Sequence, residues 1–345
     1  MGFYDRLPLI QKIEELRGSK VLCYVTSLRP NVNSQISDDA VREFIDHLQR
    51  LSERANKIDL FIISNGGDSI VPWRLIPVLR EYSLKIAVLI PFKAYSAATI
   101  MALGADEIVM HKFAAMGPID PTVTNEFNPF EQGTGRRLGI SVEDVKAYIS
   151  FIRNTAGINH EEEVVKAVEI LAKEVHPLAL GNVERFISQS RMIATKLLQM
   201  HTEKSEEHNI STVVEALASK LYFHGHPINR REAIELGLKV VESVPVEIES
   251  LMWDLYEDFE TEMQFRMPFD PVAALHRATQ AQPQPGFFSE LARIENVVRY
   301  VTVESSRLSS FYDVTTRHVL RSDPQLQQSL AIFSLDQRWD RIPAP

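Results

Sequence analysis

The chain is short of cysteine, of long apolar runs and of positive charge. Its single cysteine, Cys23, excludes an internal disulfide, and a lone thiol inside the apolar stretch 21–25 points to a reducing compartment, so a cytoplasmic location is expected. The opening MGFYDRLPLIQKIEELRGSK has neither the basic-then-apolar pattern of an export signal nor enough apolar length to span a bilayer; residues 3–16 read instead as a short amphipathic helix that caps the fold. Lysine and arginine number 37 against 46 aspartates and glutamates, and no basic run is interleaved with aromatics, which argues against a nucleic-acid surface. His224 and His226 stand without neighbouring cysteines or clustered carboxylates, a poor metal signal, so neither a metal nor another cofactor is expected.

What is present is a large apolar fraction, 45% of 345 residues, arranged in alternating blocks. Near-continuous apolar runs at 21–26, 58–64, 85–90 and 107–111 read as strands buried on both faces. Residues 38–54, 70–81 and 96–103, between them, carry helical spacing. Pro72 falls where a helix start tolerates it, whereas Pro77 is predicted to kink or divide its helix. This βαβα series implies an α/β class with a mostly parallel sheet. From residue 141 to about 219 the pattern is helical throughout, a short helix follows at 232–238, and 240–248 returns to strand-like alternation. The domain expected to carry the chemistry spans 1–250. Residues 251–345 form an expected α+β extension in which QAQPQPG (280–286) is a break and 296–303 with 311–319 make a hairpin or small sheet.

Three strand ends carry the chemistry. The run 60–64 stops at Asn65-Gly66-Gly67, and 86–90 stops at Pro91 before AYSAAT, where Ser96 opens a helix. Glycines let backbone N–H groups turn outward, and a helix start adds unpaired donors beside the serine. An acyl-transfer serine needs such donors, because the oxyanion it creates must be stabilised where its charge develops. Serine at a helix start is also a common cap, and a glycine pair alone marks many ordinary turns.

With IISNGGD, IPFKAYSAATIMALGADEIVM and MGPIDP in this order, residues 58–123 resemble the serine dehydrogenase proteinase family, related to ClpP proteases and signal peptide peptidase A. A weaker echo lies at LYFHGHPINRREAIELGL (221–238). The resemblance implies a ClpP/crotonase-like ββα spiral with a helical layer, Ser96 as nucleophile, and an oxyanion hole from the N–H groups of Gly67 and Ala97 beside Gly66. Asn65 stands where the family usually has proline, and many relatives carry an N-terminal membrane anchor that this sequence does not show, so a membrane association rests on resemblance alone.

Two candidate bases remain open. Lys146 lies fifty residues after Ser96, in the order that signal peptide peptidase A relatives use for a serine–lysine dyad, and would have to be buried among Val142, Tyr148 and Ile149 to lose its proton. His224 with Asp120 matches the Ser, Asp, His set that the resemblance implies, and an imidazole needs less tuning. His111 reads as a surface histidine, and Asp106 and Glu107 as structural charges in a helix-to-strand turn. The expected function is a serine peptidase that binds an extended peptide along the strand edge beside Gly66-Gly67, with a small or apolar pocket near Ile70, Ala94 and Met116. The resemblance also implies a homo-oligomer, and the amphipathic spacing of the helices in 141–220 offers them as its contact surface. Two rivals share the fold: a crotonase-type acyl-CoA enzyme, which has no use for a hydroxyl at Ser96, and a non-catalytic scaffold that binds protein partners.

Overall fold

The computed structural model describes residues 2–119, 122–123, 126–130, 137–201, 207–220, 225–280, 290–321 and 329–345. Seven strands build one sheet: β1 (Lys20–Thr26), β2 (Ala55–Ile63), β3 (Ser83–Ile90), β4 (Glu107–Met110), β5 (Glu290–Ser305), β6 (Leu308–Arg321) and β7 (Ser329–Pro343). Their order is β7-β6-β5-β1-β2-β3-β4. β1 to β4 run parallel, with Cys23 opposite Phe61 and Leu60 opposite Val88, as the continuous apolar runs require. The helices that return the chain between them are α2 (Asp39–Leu48), α3 (Val71–Tyr82) and α4 (Ala97–Ala102), and α1 (Phe3–Arg17) precedes the sheet.

Alternate residues of each parallel strand serve opposite faces. Leu22, Tyr24, Leu60, Ile62, Val88 and Ile90 pack into the core that holds α2, α3 and α4. Val21, Cys23, Val25, Phe61, Ile63, Ala87 and Leu89 pack on the other side, against Ile10 and Ile13 of α1 and against a long later helix containing Met252, Leu255 and Phe259. Both faces are therefore dry, and the α/β class read from the sequence holds.

After β4 the chain forms α5 (Val142–Ser150), a π turn (Phe151–Thr155), α6 (Glu161–Glu174), α7 (Pro177–Gln199), α8 (Glu207–Glu215), a second π turn (Ala216–Lys220) and α9 (Arg230–Glu235). The second half of α7 joins the main core through Ile193, Ala194 and Leu197, while its first half meets Ile140 through Ala179, Val183 and Ile187. By contrast α6 leaves Val165, Val168 and Ile170 exposed. Then come α10 (Val246–Glu262), the long helix on the second face, and α11 (Pro271–Gln280).

Three details differ from expectation. α3 runs unbroken through Pro77. The stretch 240–248 is not a strand: Val240 makes a single bridge to Ile108, and Pro245, extended at the N-cap, starts α10. Residue 250 lies inside that helix. The expected C-terminal hairpin exists as β5 and β6, but it adds to the main sheet, since β5 pairs antiparallel with β1 and sets Glu304 opposite Cys23.

A buried charge cluster fastens that joint. Arg6, with no exposed surface, donates to both oxygens of Glu304 at 2.8 and 2.9 Å, to Asp258 at 2.7 Å and to Glu262 at 2.6 Å. Its guanidinium also lies 4.3 Å from the Phe259 ring centroid. On the opposite face Arg341 of β7 grips Glu43 of α2 through two 2.8 Å bonds, and Trp339 donates to Asp39.

Candidate active site

A second, small sheet positions the serine. Lys93–Ala94 lies parallel to Ala115–Met116, which pairs antiparallel with Ile228–Asn229, and Ser64 bridges to Ala94 on the far side. Segments distant in sequence thus end side by side. Thr99 ties them: its Oγ1 lies 2.7 Å from the Ala94 carbonyl and 2.8 Å from the Gly117 carbonyl, and accepts from the Gly117 N–H at 3.1 Å.

Ser96 sits at the N-cap of α4 with φ 53° and ψ −115°, a conformation that costs a non-glycine residue on the order of 1–3 kcal/mol. The turn is held by Ala98 N–H on the Tyr95 carbonyl and Ile100 N–H on the Ser96 carbonyl, each 3.0 Å. It makes no side-chain cap to its own helix, so its local duty is not the ordinary one of a capping serine. Gly66, at φ 106°, packs directly against it: a Cβ built there would stand 2.7 Å from Ser96 Cβ and 3.2 Å from its Oγ. Ser64 sets this turn, accepting from the Gly66 N–H at 2.9 Å and from the Thr26 hydroxyl at 2.8 Å.

Gly67, at φ 150°, approaches Ile36 so closely that a Cβ would fall 2.3 Å from the Ile36 carbonyl oxygen. Ile36 N–H donates to the Gly66 carbonyl at 2.8 Å and its carbonyl accepts from Asp68 N–H at 2.9 Å. One edge of this turn, offered to substrate by the sequence reading, is therefore occupied by the chain itself. Among the described residues the N–H groups of Gly67 and Ala97 have no backbone carbonyl partner. Ala94 and Met116, expected near a substrate pocket, are fully buried in the core, and Ile70 packs on that core half-buried.

Lys146 lies half-buried on α5, with Tyr148 nearby donating to the Ala167 carbonyl at 3.0 Å. Asp120 and His224 lie outside the described residues. Their described flanks converge: Ile119 N–H donates to the Leu217 carbonyl at 3.0 Å, and Met116 pairs with Ile228. His111 is not the surface residue expected, for it is buried, stacked on Trp253 at 5.1 Å, and burial lowers its pKa. Asp106 accepts from Ile86 N–H at 2.7 Å and pairs with Arg80, while Glu107 meets Arg17 and Lys57. Ser64, Thr99 and Ile36 carried no signal in the sequence, because their roles depend on segments meeting only in the fold.

The site thus sets a strained serine against a glycine turn, with two amides at neighbouring strand ends that have no backbone carbonyl partner among the described residues. Residues 3–132 match the family described as ClpP-like SDH-type serine proteinase, the family that the residue blocks resemble. The match contains Gly66, Gly67 and Ser96; Lys146 and the histidines at 224 and 226 lie beyond it. The chain is 26% identical over 257 residues to uncharacterized protein MJ1495 of Methanocaldococcus jannaschii, covering 73% of this chain and 76% of that one, and 25% identical to MJ0137 of the same organism over 73% and 78%. Among solved structures, the 1510-N membrane-bound stomatin-specific protease aligns at TM-score 0.35 and 15% identity, over 65% of this chain and 82% of that one. ClpP1 from Listeria monocytogenes aligns at 0.33 and 14%, over 70% and 99%. Scores of that size leave the fold reading to the sheet itself and the family match. Among the described residues no helix is long and apolar enough to cross a membrane.

Proposed function

We propose that the chain is a serine peptidase that hydrolyses peptide bonds through an acyl-enzyme on Ser96. The observation that carries this is the Ser96 turn: φ 53° at a non-glycine residue, with Gly66 pressed against its side chain. Strain of this kind persists where surrounding structure enforces it, and it turns the hydroxyl away from the helix it would otherwise cap. In this reading Gly67 and Ala97 donate their N–H groups to the oxyanion, with Gly66 keeping the approach open. The base is His224, with Asp120, or Lys146. The small sheet supports His224, since it sets the flank of Asp120 beside the serine strand and the flank of His224 on the next strand over. The apolar side chains that α6 leaves exposed support assembly with a second copy, which light scattering would reject by giving a mass near the 39.2 kDa of one chain.

A tagged fluorophosphonate tests the nucleophile. The wild-type chain should form a covalent adduct and Ser96→Ala should form none while melting at an unchanged temperature. An adduct of equal yield on Ser96→Ala would leave the scaffold or the crotonase-type reading.

A further inference from the structure

We infer that residues 329–335 of β7 form a self-pairing edge, by which two copies of the chain join their main sheets across a twofold axis. β7 ends the sheet, with β6 its only strand neighbour among the described residues, and its two halves are built differently. From Asp336 onward it carries the devices that keep an edge from pairing, four charges and Pro343, and these are engaged: Arg338 bridges Asp336 and Asp340, Arg341 holds Glu43 and Trp339 donates to Asp39. The first half, SLAIFSL, has no charge, proline or glycine, and its Leu330, Ile332, Phe333 and Leu335 are exposed, Ile332 by 61%. The opposite edge of the same sheet is finished otherwise. There β4 spans only Glu107–Met110, and Ile108 is hydrogen-bonded on its outer side by the Lys239 carbonyl and the Val241 N–H.

The order of residues in that half selects a second copy as the occupant. An antiparallel ladder centred on Ile332 sets Leu330 opposite Ser334 of the second copy, Phe333 opposite Ala331 and Leu335 opposite Ser329, so every large side chain except the central one meets a small one. Centring one residue earlier sets Leu330 against Ile332. Centring one residue later sets Phe333 against itself and Leu330 against Asp336. Longer ladders are stopped by geometry: Thr315 and Thr316, successive residues of β6 that point to opposite faces, lie opposite Asp336 and Ser334, so β7 bulges at Leu335 and its alternation shifts there. A register that crosses the bulge therefore brings side chains of one strand to the wrong face of the other. One centred on Arg338 also sets that arginine against itself and Asp336 against Asp340.

The Ile332 register also continues a core that one copy leaves unfinished. Leu330 is level with Leu320 and Ile332 with His318, on the face where Leu320 packs with Leu275 of α11 and Ala292 of β5. Two copies run that small cluster across the axis as one apolar stripe, each contributing the same residues, as a twofold contact requires. This surface is separate from the exposed face of α6 and owes nothing to the reading of Ser96.

Introduced cysteines in the full chain test both the contact and its register, and the native Cys23, being buried, stays out of the reaction. Ile332→Cys stands opposite itself, within the Cα separation of about 4.4–6.8 Å that a disulfide needs, so copper phenanthroline should convert most of the chain to a covalent dimer. Ser334→Cys lies four residues along the ladder from its own counterpart, about 14 Å away, and should remain a single chain on a denaturing gel. Mixed with Leu330→Cys, it should cross-link. Ile332→Lys should halve the mass that light scattering gives for the wild type and leave fluorophosphonate labelling unchanged. A wild-type mass of one chain at micromolar concentration, an unaltered mass for Ile332→Lys, or cross-linking of Ser334→Cys as complete as that of Ile332→Cys overturns the inference. Should Ile332→Lys fail to fold, the cysteine variants still decide, since each changes only one exposed side chain.

Discussion

The two halves of the main sheet are built on different physics. β1 to β4 are parallel, bury apolar side chains on both faces and return through helices, so their cohesion is spread over many interchangeable contacts. β5 to β7 form an antiparallel meander joined to the first half by the β5–β1 ladder and by a few specific charges: Arg6 with Glu304, Asp258 and Glu262 on one face, Arg341 with Glu43 on the other. The first kind of half tolerates local change at a graded cost. The second depends on single residues whose partners are hundreds of positions away.

That contrast can be broken at four places. The largest effect is expected where the parallel half meets the small sheet. Gly66→Ala would push a Cβ to 2.7 Å from Ser96 Cβ and 2.9 Å from the Tyr95 carbonyl, at a φ of 106° that resists it. Peptide turnover should fall about 100-fold, because misplacement of reacting groups by about 1 Å has that effect. Unchanged turnover would mean that Gly66 does not border the reacting atoms.

Next comes the charged joint. Arg6→Ala leaves Glu304 buried and unpaired, and urea unfolding should show a loss of about 3–5 kcal/mol. Arg6→Met combined with Glu304→Gln and Asp258→Asn should recover most of that loss, since it removes the stranded charges. A triple variant as unstable as the single would place the effect in packing around Phe259.

His47 supplies a pH-dependent version of the same test. Buried between α2 and the C-terminal strands, with Nδ1 2.8 Å from Ser305 Oγ and Nε2 3.3 Å from Ser310 Oγ, it is pushed down to about 3, chiefly by burial and then by Arg50 and Arg341. Unfolded, the imidazole takes its proton near 6.5. Stability is therefore fully present above that value and is lost as pH falls from there toward 3, by about 3 kcal/mol at pH 4. His47→Gln should flatten this limb of the stability curve, and an unaltered slope would assign it to other groups. The smallest effect should come from Arg338, which is 64% exposed and bridges Asp336 and Asp340 along β7. Arg338→Ala should move the melting temperature by less than about 1 °C.

The same contrast explains what the residues disclosed. The parallel strands were legible because burial on both faces writes continuous apolar runs, and the Ser96 and Gly66-Gly67 turns were legible because helix starts and glycine pairs are local signals. The joining of β5 to β1 was not, for Arg6 and Glu304 are separated by 298 positions and neither looks unusual in its own window. The misread stretch 240–248 alternates like a strand, but Pro245 at an N-cap and the apolar face of Ile248, Met252 and Leu255 make it the entry to α10. His111 was misread because a strand-end histidine gives no warning of the Trp253 that arrives more than a hundred residues later to cover it.

The order of β5 and β1 has a consequence for synthesis. Until residues beyond 290 emerge, β1 has no neighbour on one side. Its sequence KVLCYVT then presents an open backbone row flanked by apolar side chains, a ready template for pairing with another nascent chain. A chain truncated at residue 289 should for that reason be recovered as aggregate rather than as a smaller folded protein, and the edge must stay sheltered for the time it takes to translate the roughly 240 residues between β2, ending at Ile63, and Ser305 of β5.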